Sequence, residues 1–448
     1  MKKTALCSAI LAIYSISAPA FADQVADLKA EIAAQKQAAE AQKLRLDALE
    51  QKLNAVQTQQ QQQQQQISAA PVAAPGALPE GVSFERGKGL SYATPQGSVS
   101  LYGLIDVTYV HTNNADKDGN SVTSPRVAWF SGNRWGLTGR RAMGDSGLDT
   151  IFKLESEFES QTGSDDTPGV TFNRDAWVGV QSDAFGKLTL GRQNAIARDP
   201  ISSGIYGDPY GPAAPTLEEG GYTNNNNFKQ LVFYAGSATG TRLDNGVVYK
   251  KKFDNDLYLG AAYQFGGVPG SFSQGSTETL TLAYAGGAYN LAGFATSANV
   301  DGRTNRSYSV GGNYTIGPVR LNAGYYHYTA EQGLLGSRTD NAYTVSAKLA
   351  PKGSKFDYQL GYQNMKADNA AVNAGGNVLN AFSNTSLATA TATGSRGTVY
   401  GSTFYHFDNI TEVYLATDYL RLRDGYKVAN THGFGSQWEF GVGLRTRF

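Results

Sequence analysis

Cysteine is all but missing from this 448-residue chain: one occurs, at position 7. An intrachain disulfide framework or a cysteine-ligated metal centre needs more than one thiol, so both are excluded. Histidine is scarce as well, with four, at positions 111, 327, 406 and 432. No HExxH pair, Gly-x-Ser-x-Gly elbow or phosphate-cradling glycine loop occurs, so nothing calls for a metal or a cofactor. After residue 22 there is no run of 18 apolar residues, which excludes a membrane-spanning helix. Net charge is lacking too: 38 basic residues face 38 acidic ones, which argues against a nucleic-acid partner.

Glycine (52) and tyrosine (26) are abundant instead, and apolar residues are dispersed by alternation. The last eleven residues, WEFGVGLRTRF, carry the sharpest signal. Trp438, Phe440, Val442, Leu444, Thr446 and Phe448 fall on one face, and Glu439, Gly441, Gly443, Arg445 and Arg447 on the other. A half-apolar strand at a chain end is an aggregation hazard unless a closed barrel gives it a partner. Lipid then covers the apolar face and a water-filled lumen the polar one. The expected fold is an all-β transmembrane barrel, with terminal Phe448 as a membrane-insertion signal.

The opposite end reads as a secretory signal over residues 1–22. Lys2 and Lys3 precede an apolar stretch, and Ala20-Phe21-Ala22 forms a cleavage site that removes Cys7. Residues 23–66 contain no glycine, proline or aromatic residue. Val25, Leu28, Ile32, Gln35, Ala39, Gln42, Leu46, Leu49, Leu53, Val56 and Gln60 step by three and four, the seam of a periplasmic coiled coil. Gln35, Ala39 and Gln42 weaken its middle. A glutamine run leads into a Pro/Ala-rich linker, placed at 67–97.

From Ser98 to Phe448 the period is two. Strands are expected near 98–111, 130–142, 148–160, 172–182 and 186–192, with eleven more between 242 and 448. Sixteen is an even number, so both barrel ends lie on the periplasmic side. Tight turns such as Gly144-Asp145-Ser146-Gly147 and Phe253-Asp254-Asn255-Asp256 alternate with longer connections, for example 113–128 and 367–395. The connection from 193 to 241 is far longer than a structureless loop should be. Its tyrosines and prolines point to a loop folded into the pore. Parity directs Arg134, Arg140, Arg242, Arg320 and Arg445 into the lumen, together with Asp106, Glu155, Glu157, Glu159 and Glu439. Arg192 and Arg174 share parity with outward residues, and their side stays open.

The segments VSLYGLIDVTYV, NRWGLTGR, FKLESEF, FNRDAWVGV, GKLTLGRQN, RLDNGVVYK and the strand ending at Phe448 resemble the general porins of Gram-negative bacteria, in their β-proteobacterial form. The resemblance spans 98–448. It implies a 16-stranded homotrimeric barrel in the outer membrane, in contact with outer-membrane lipids and lipopolysaccharide and inserted by the barrel-assembly machinery. It also implies passive diffusion of small hydrophilic solutes with weak anion preference, through a constriction between wall arginines and third-loop carboxylates. Arg134, Arg192 and Arg242 occupy the matching wall positions, and Asp208, Glu218 and Glu219 are the loop's acidic candidates. The N-terminal extension departs from general porins and resembles substrate-specific ones of the sucrose or dicarboxylate type. It would reach peptidoglycan or reinforce the trimer. A barrel enzyme, with His432 as its only hint, and an envelope tether are the rival classes.

Overall fold

The computed structural model describes residues 79–85, 87, 89–127, 129–199, 220–226 and 237–448, with nine residues between 33 and 52. Two compact units divide it, Met1–Ala77 and Leu78–Phe448. In the first, the described residues (33, 36, 37, 40, 43, 45, 47, 51 and 52) are helical and exposed. The seam positions Val25, Leu28, Ile32, Leu46, Leu49, Leu53 and Val56 lie outside the described residues.

The second unit is a barrel. A hairpin, β1 (Val82–Glu85) and β2 (Gly89–Thr94), precedes the first wall strand, β3 (Gly97–Thr112), and β4 (Val122–Val127) follows it. The wall continues through β5 (Arg134–Ala142), β6 (Asp149–Glu157), β7 (Asp175–Ser182), β8 (Gly186–Asn194), β9 (Arg242–Lys252), β10 (Leu257–Gln264) and β11 (Thr277–Ala285). It is completed by β12 (Tyr289–Val300), β13 (Arg303–Ile316), β14 (Val319–Glu331), β15 (Ser337–Leu349), β16 (Phe356–Val372), β17 (Ala390–His406), β18 (Thr411–Asp424) and β19 (Ser436–Arg447). Sixteen of these, β3 and β5 to β19, pair antiparallel in chain order. β19 returns to β3, with Glu439 opposite Thr112 and Arg447 opposite Leu104, and the barrel closes.

The two-residue period dictates what each face meets. In β11, Thr277, Thr279, Thr281 and Ala283 are buried while Glu278, Leu280 and Leu282 are exposed. In β19, Trp438, Phe440, Val442 and Leu444 look outward and Gln437, Glu439, Gly441 and Gly443 inward. The outward apolar belt is the surface a bilayer covers, and no sheet edge interrupts it. At one end of the barrel, turns of two to six residues join the strands, such as 317–318 and 407–410. Asp256 (φ 61°) closes one of them in the left-handed conformation that aspartate tolerates. The longer connections lie at the other end: loop 1 (113–133), loop 2 (158–174), loop 3 (195–241), loop 7 (373–389) and loop 8 (425–435).

The structure departs from the sequence reading in three places. The linker expected at 67–97 contains the β1–β2 hairpin. Leu90 faces Leu101 and Thr94 faces Gly97, so β2 lies against the lower half of β3. Two-residue alternation over only four to six residues, broken by Gly87 and Gly89, is too short to stand out from a glycine- and proline-bearing spacer. The strand expected from 130 begins at Arg134, because residues 129–133 leave the wall and bend inward. The loop expected at 367–395 shrinks to 373–389, as β16 and β17 pair out to Val372 and Ala390.

Candidate functional site

The inner wall from β5 to β9 gathers the charges. Arg134 stands opposite Glu157 on the β5–β6 ladder, and its Nε donates to the Gly132 carbonyl at 3.0 Å. Arg174 donates through Nε to Glu155 at 2.5 Å and is also paired with Glu157. Its side is set by a bulge. Asp175 already stands opposite Glu155, yet the Arg174 amide also donates to the Glu155 carbonyl, so two residues oppose one. Arg242 is 5% exposed, and its Nε donates to the Arg174 carbonyl at 2.9 Å. Arg198, on a short 3-10 turn at Ile196–Arg198, feels the charges of Arg134 and Arg174, and Arg242 those of Arg198 and Arg174, which makes a group of four guanidiniums. Lys153 bridges Glu155 (3.1 Å) and Asp175 (2.9 Å), and the Tyr102 hydroxyl donates to Glu155 at 2.7 Å. Just above, in loop 2, burial and the neighbouring Glu157 push the Asp166 carboxyl above the ordinary aspartate range.

Two loops reach into the lumen. The outgoing arm of loop 3 packs Ile196 against Leu243, Val248 and Ala262, and Asp199 bonds Lys250 at 2.7 Å. Its returning arm meets a different part of the wall. The Thr223 hydroxyl and the Asn225 amide both donate to Asp418 on β18. Arg396 and Thr398 on β17 donate to the Asn225 carbonyl, and Gln363 on β16 donates to Asn226. The Tyr222 amide donates to the Trp129 carbonyl at 2.7 Å, which joins loop 3 to the inward end of loop 1. There Phe130 stacks into Phe404 and Tyr414 at 4.8 and 4.9 Å. Buried Asp106 accepts from the Ser131 amide and from Tyr414.

A second line of charge runs along the wall beside the seam. Lys348 meets Asp357 (3.2 Å), His406 lies between Asp357 (3.1 Å) and Glu412 (2.9 Å), and Arg445 is paired with Glu412. Arg320 feels the charge of Asp357 from the same face. Across the seam, Glu439 accepts from Thr112 (2.9 Å) and pairs with Arg126 (3.0 Å).

A closed sixteen-strand wall with a charged, loop-crossed interior is the context for the comparisons. A family model described as Gram-negative porin matches residues 68–437. The chain belongs to that family. This porin is similar to an outer membrane porin protein of Bordetella pertussis, 30% identical over 297 residues, 59% of this chain and 71% of the relative. In fold it is similar to an anion-selective porin from Comamonas acidovorans (TM-score 0.59, 19% identity, 79% of this chain and all of that one). It is likewise similar to OmpT of Vibrio cholerae in its trimer form (TM-score 0.52, 17% identity, 79% of this chain and all of that one). The porin is an outer-membrane channel for passive diffusion.

The porin places the expected site residues unevenly. Arg134, Arg242, Glu155 and Glu157 come together. The alternation used to orient Arg242 is interrupted, since Gly191 faces Gly246 but Gln193 faces Leu243, with Asn245 (φ 52°) in the bulge. Arg192 has partners of its own: its Nε donates to the Asn173 carbonyl at 2.8 Å and its fork pairs with Asp244. Arg140 pairs with Asp149 near the rim, at 2.6 Å. Phe448 exchanges two backbone hydrogen bonds with Gly103, at 2.9 and 3.0 Å. Asp208, Glu218 and Glu219 lie outside the described residues. Arg198 was not among the expected site residues; its position on the 3-10 turn after LGRQN gives no alternation from which to read a side.

Proposed function

We propose that this porin is a homotrimeric, weakly anion-preferring channel whose charged constriction lies between the β5–β9 wall and loop 3. The observation that carries the reading is the imbalance of the wall cluster. Arg134, Arg174, Arg198, Arg242 and Lys153 face Glu155, Glu157 and Asp175, so positive charge is in excess. In a narrow passage with low-dielectric walls each unbalanced charge acts over a few ångströms and raises the local concentration of anions. Asp208, Glu218 and Glu219 of loop 3 would supply the opposing pole of a transverse field. The description of the Comamonas acidovorans porin as anion-selective points the same way, and the trimer form of the Vibrio cholerae protein agrees with a trimer here. Residues 23–66 would then meet beneath the trimer axis as a parallel three-stranded coiled coil in the periplasm, reinforcing the trimer or touching peptidoglycan.

Reversal potentials in planar bilayers under a salt gradient test the charge reading. Replacing Arg134 and Arg242 by Ser should move selectivity toward cations, by about two-fold or more in permeability ratio. Neutralising Asp208, Glu218 and Glu219 should move it the opposite way. Unchanged reversal potentials in both variants would put the selective region elsewhere. A substrate-specific channel for sugars or dicarboxylates is the second reading, favoured by the N-terminal extension. Saturable uptake of one such solute, inhibited by its analogues, would establish it.

A further inference from the structure

We propose that loop 7 is a further inward loop, which with loop 3 fills one sector of the lumen and confines solutes to the sector beside the arginine cluster. The inner wall carries the first observation. A porin lumen is polar because it holds water. Yet the inward positions of β12 to β16 include Phe294, Tyr326, Tyr328, Ala342 and Met365, all buried. Leaving such a surface in water costs roughly 25 cal/mol for every Å², so its residues make sense only beneath a cover. Loop 7 provides that cover with Ala381 and Phe382, which are 4% and 6% exposed and join the same core. Loop 3 adds Ala197, with Tyr222 at the edge.

The fastening of loop 7 is the second observation. The Phe382 amide donates to the Tyr328 hydroxyl at 2.9 Å, and the two rings meet edge to face at 5.5 Å. Arg338, held by Asp340 through two of its nitrogens, donates a third N–H to the Leu379 carbonyl at 2.6 Å. The Val378 amide donates to the Lys427 carbonyl of loop 8 at 3.0 Å.

Backbone conformation is the third. Phe382 has φ 58°, a left-handed conformation that a bulky side chain adopts only where its surroundings over-determine it. The ring's place in the lumen core and the hydroxyl on its amide supply that constraint. A loop that merely lay on the outer surface would have no reason to hold a phenylalanine so.

The inference concerns how wide the passage is, and it holds whatever the sign of ion selectivity. Single-channel conductance and uptake of neutral sugars of graded size into proteoliposomes test it, using the full chain. Replacing residues 374–388 with a short Gly-Ser turn should raise conductance about two-fold or more and admit larger sugars, while the reversal potential keeps its sign. Phe382→Asn tolerates the left-handed backbone but deletes the ring, and should raise conductance partway. Phe382→Tyr should match the wild type. Unchanged conductance and size limit in the loop replacement overturn the proposal. If that variant does not fold, the same result in Phe382→Asn overturns it.

Discussion

Asp106 illustrates what a single buried charge does in this wall. It accepts from Tyr414 at 2.5 Å and from the amides of Phe130 and Ser131 at 3.3 and 3.0 Å, so it holds β3, β18 and the inward end of loop 1 in one register. Asp106→Ala strands the Phe130 and Ser131 amides, while Tyr414 keeps Thr108 as a partner, at a cost of about 1–3 kcal/mol for each donor left unsatisfied. The barrel's heat-induced unfolding, followed by gel mobility or circular dichroism, should move to lower temperature. Asp106→Asn, which retains an acceptor, should lose less. Arg174 and Arg192 offer a contrast in position. Arg174→Ser removes one positive charge from the cluster, leaving Glu155 with Lys153 and Glu157 opposite Arg134, so the reversal potential should shift toward cations. Arg192 serves Asp244 and the Asn173 carbonyl instead, so the double change Arg192→Ser with Asp244→Asn should leave that potential near the wild-type value. Neither assignment was legible in the sequence. Alternation is a rule for regular strands, and both arginines sit where a bulge suspends it.

At the scale of elements, the barrel was legible almost strand for strand. Sixteen alternating segments need only that lipid lie on one side and water on the other, and each segment states that condition by itself. What escaped were the elements whose partners are remote in sequence. The inward bend at 129–133 answers to Phe404 and Tyr414, and loop 7 answers to Tyr328. Nothing local in FSGN or LNAF announces a destination some tens to hundreds of residues away. The returning arm of loop 3 is of this kind too. Thr223 and Asn225 are fastened to Asp418, and Arg396, Thr398 and Gln363 hold the neighbouring backbone and side chains. Asp418→Ala removes the acceptor that two loop groups share. Open-channel current noise should increase and the sugar size limit should rise, with the barrel's unfolding temperature little changed. A quiet channel with the wild-type size limit would mean that the remaining bonds hold the arm alone.

For the whole molecule, the proposed coiled coil and the barrel can be separated by deletion. Removing residues 23–66 should lower the temperature at which trimers dissociate in detergent while single-channel conductance stays the same, if the extension reinforces the trimer. Normal trimers with slower uptake of one solute would instead assign it to solute handling. The seam has a different consequence, for the order of assembly. β19 stops at the level of Gly103, and β2 runs in the same direction against the remaining Gly97–Leu101 end of β3, so one strand's course is shared between β2 and β19. The β2–β3 pairing spans a few residues and can form as soon as both are made, whereas Leu104 must wait for Arg447. Long-range pairing is slow because loop closure comes before any reward. During that wait the early hairpin occupies part of an edge that would otherwise be open to wrong partners. Deleting residues 78–94 should therefore show itself in the kinetics of refolding into detergent or lipid, as slower closure and more aggregate. The channels that do close should conduct as the wild type does.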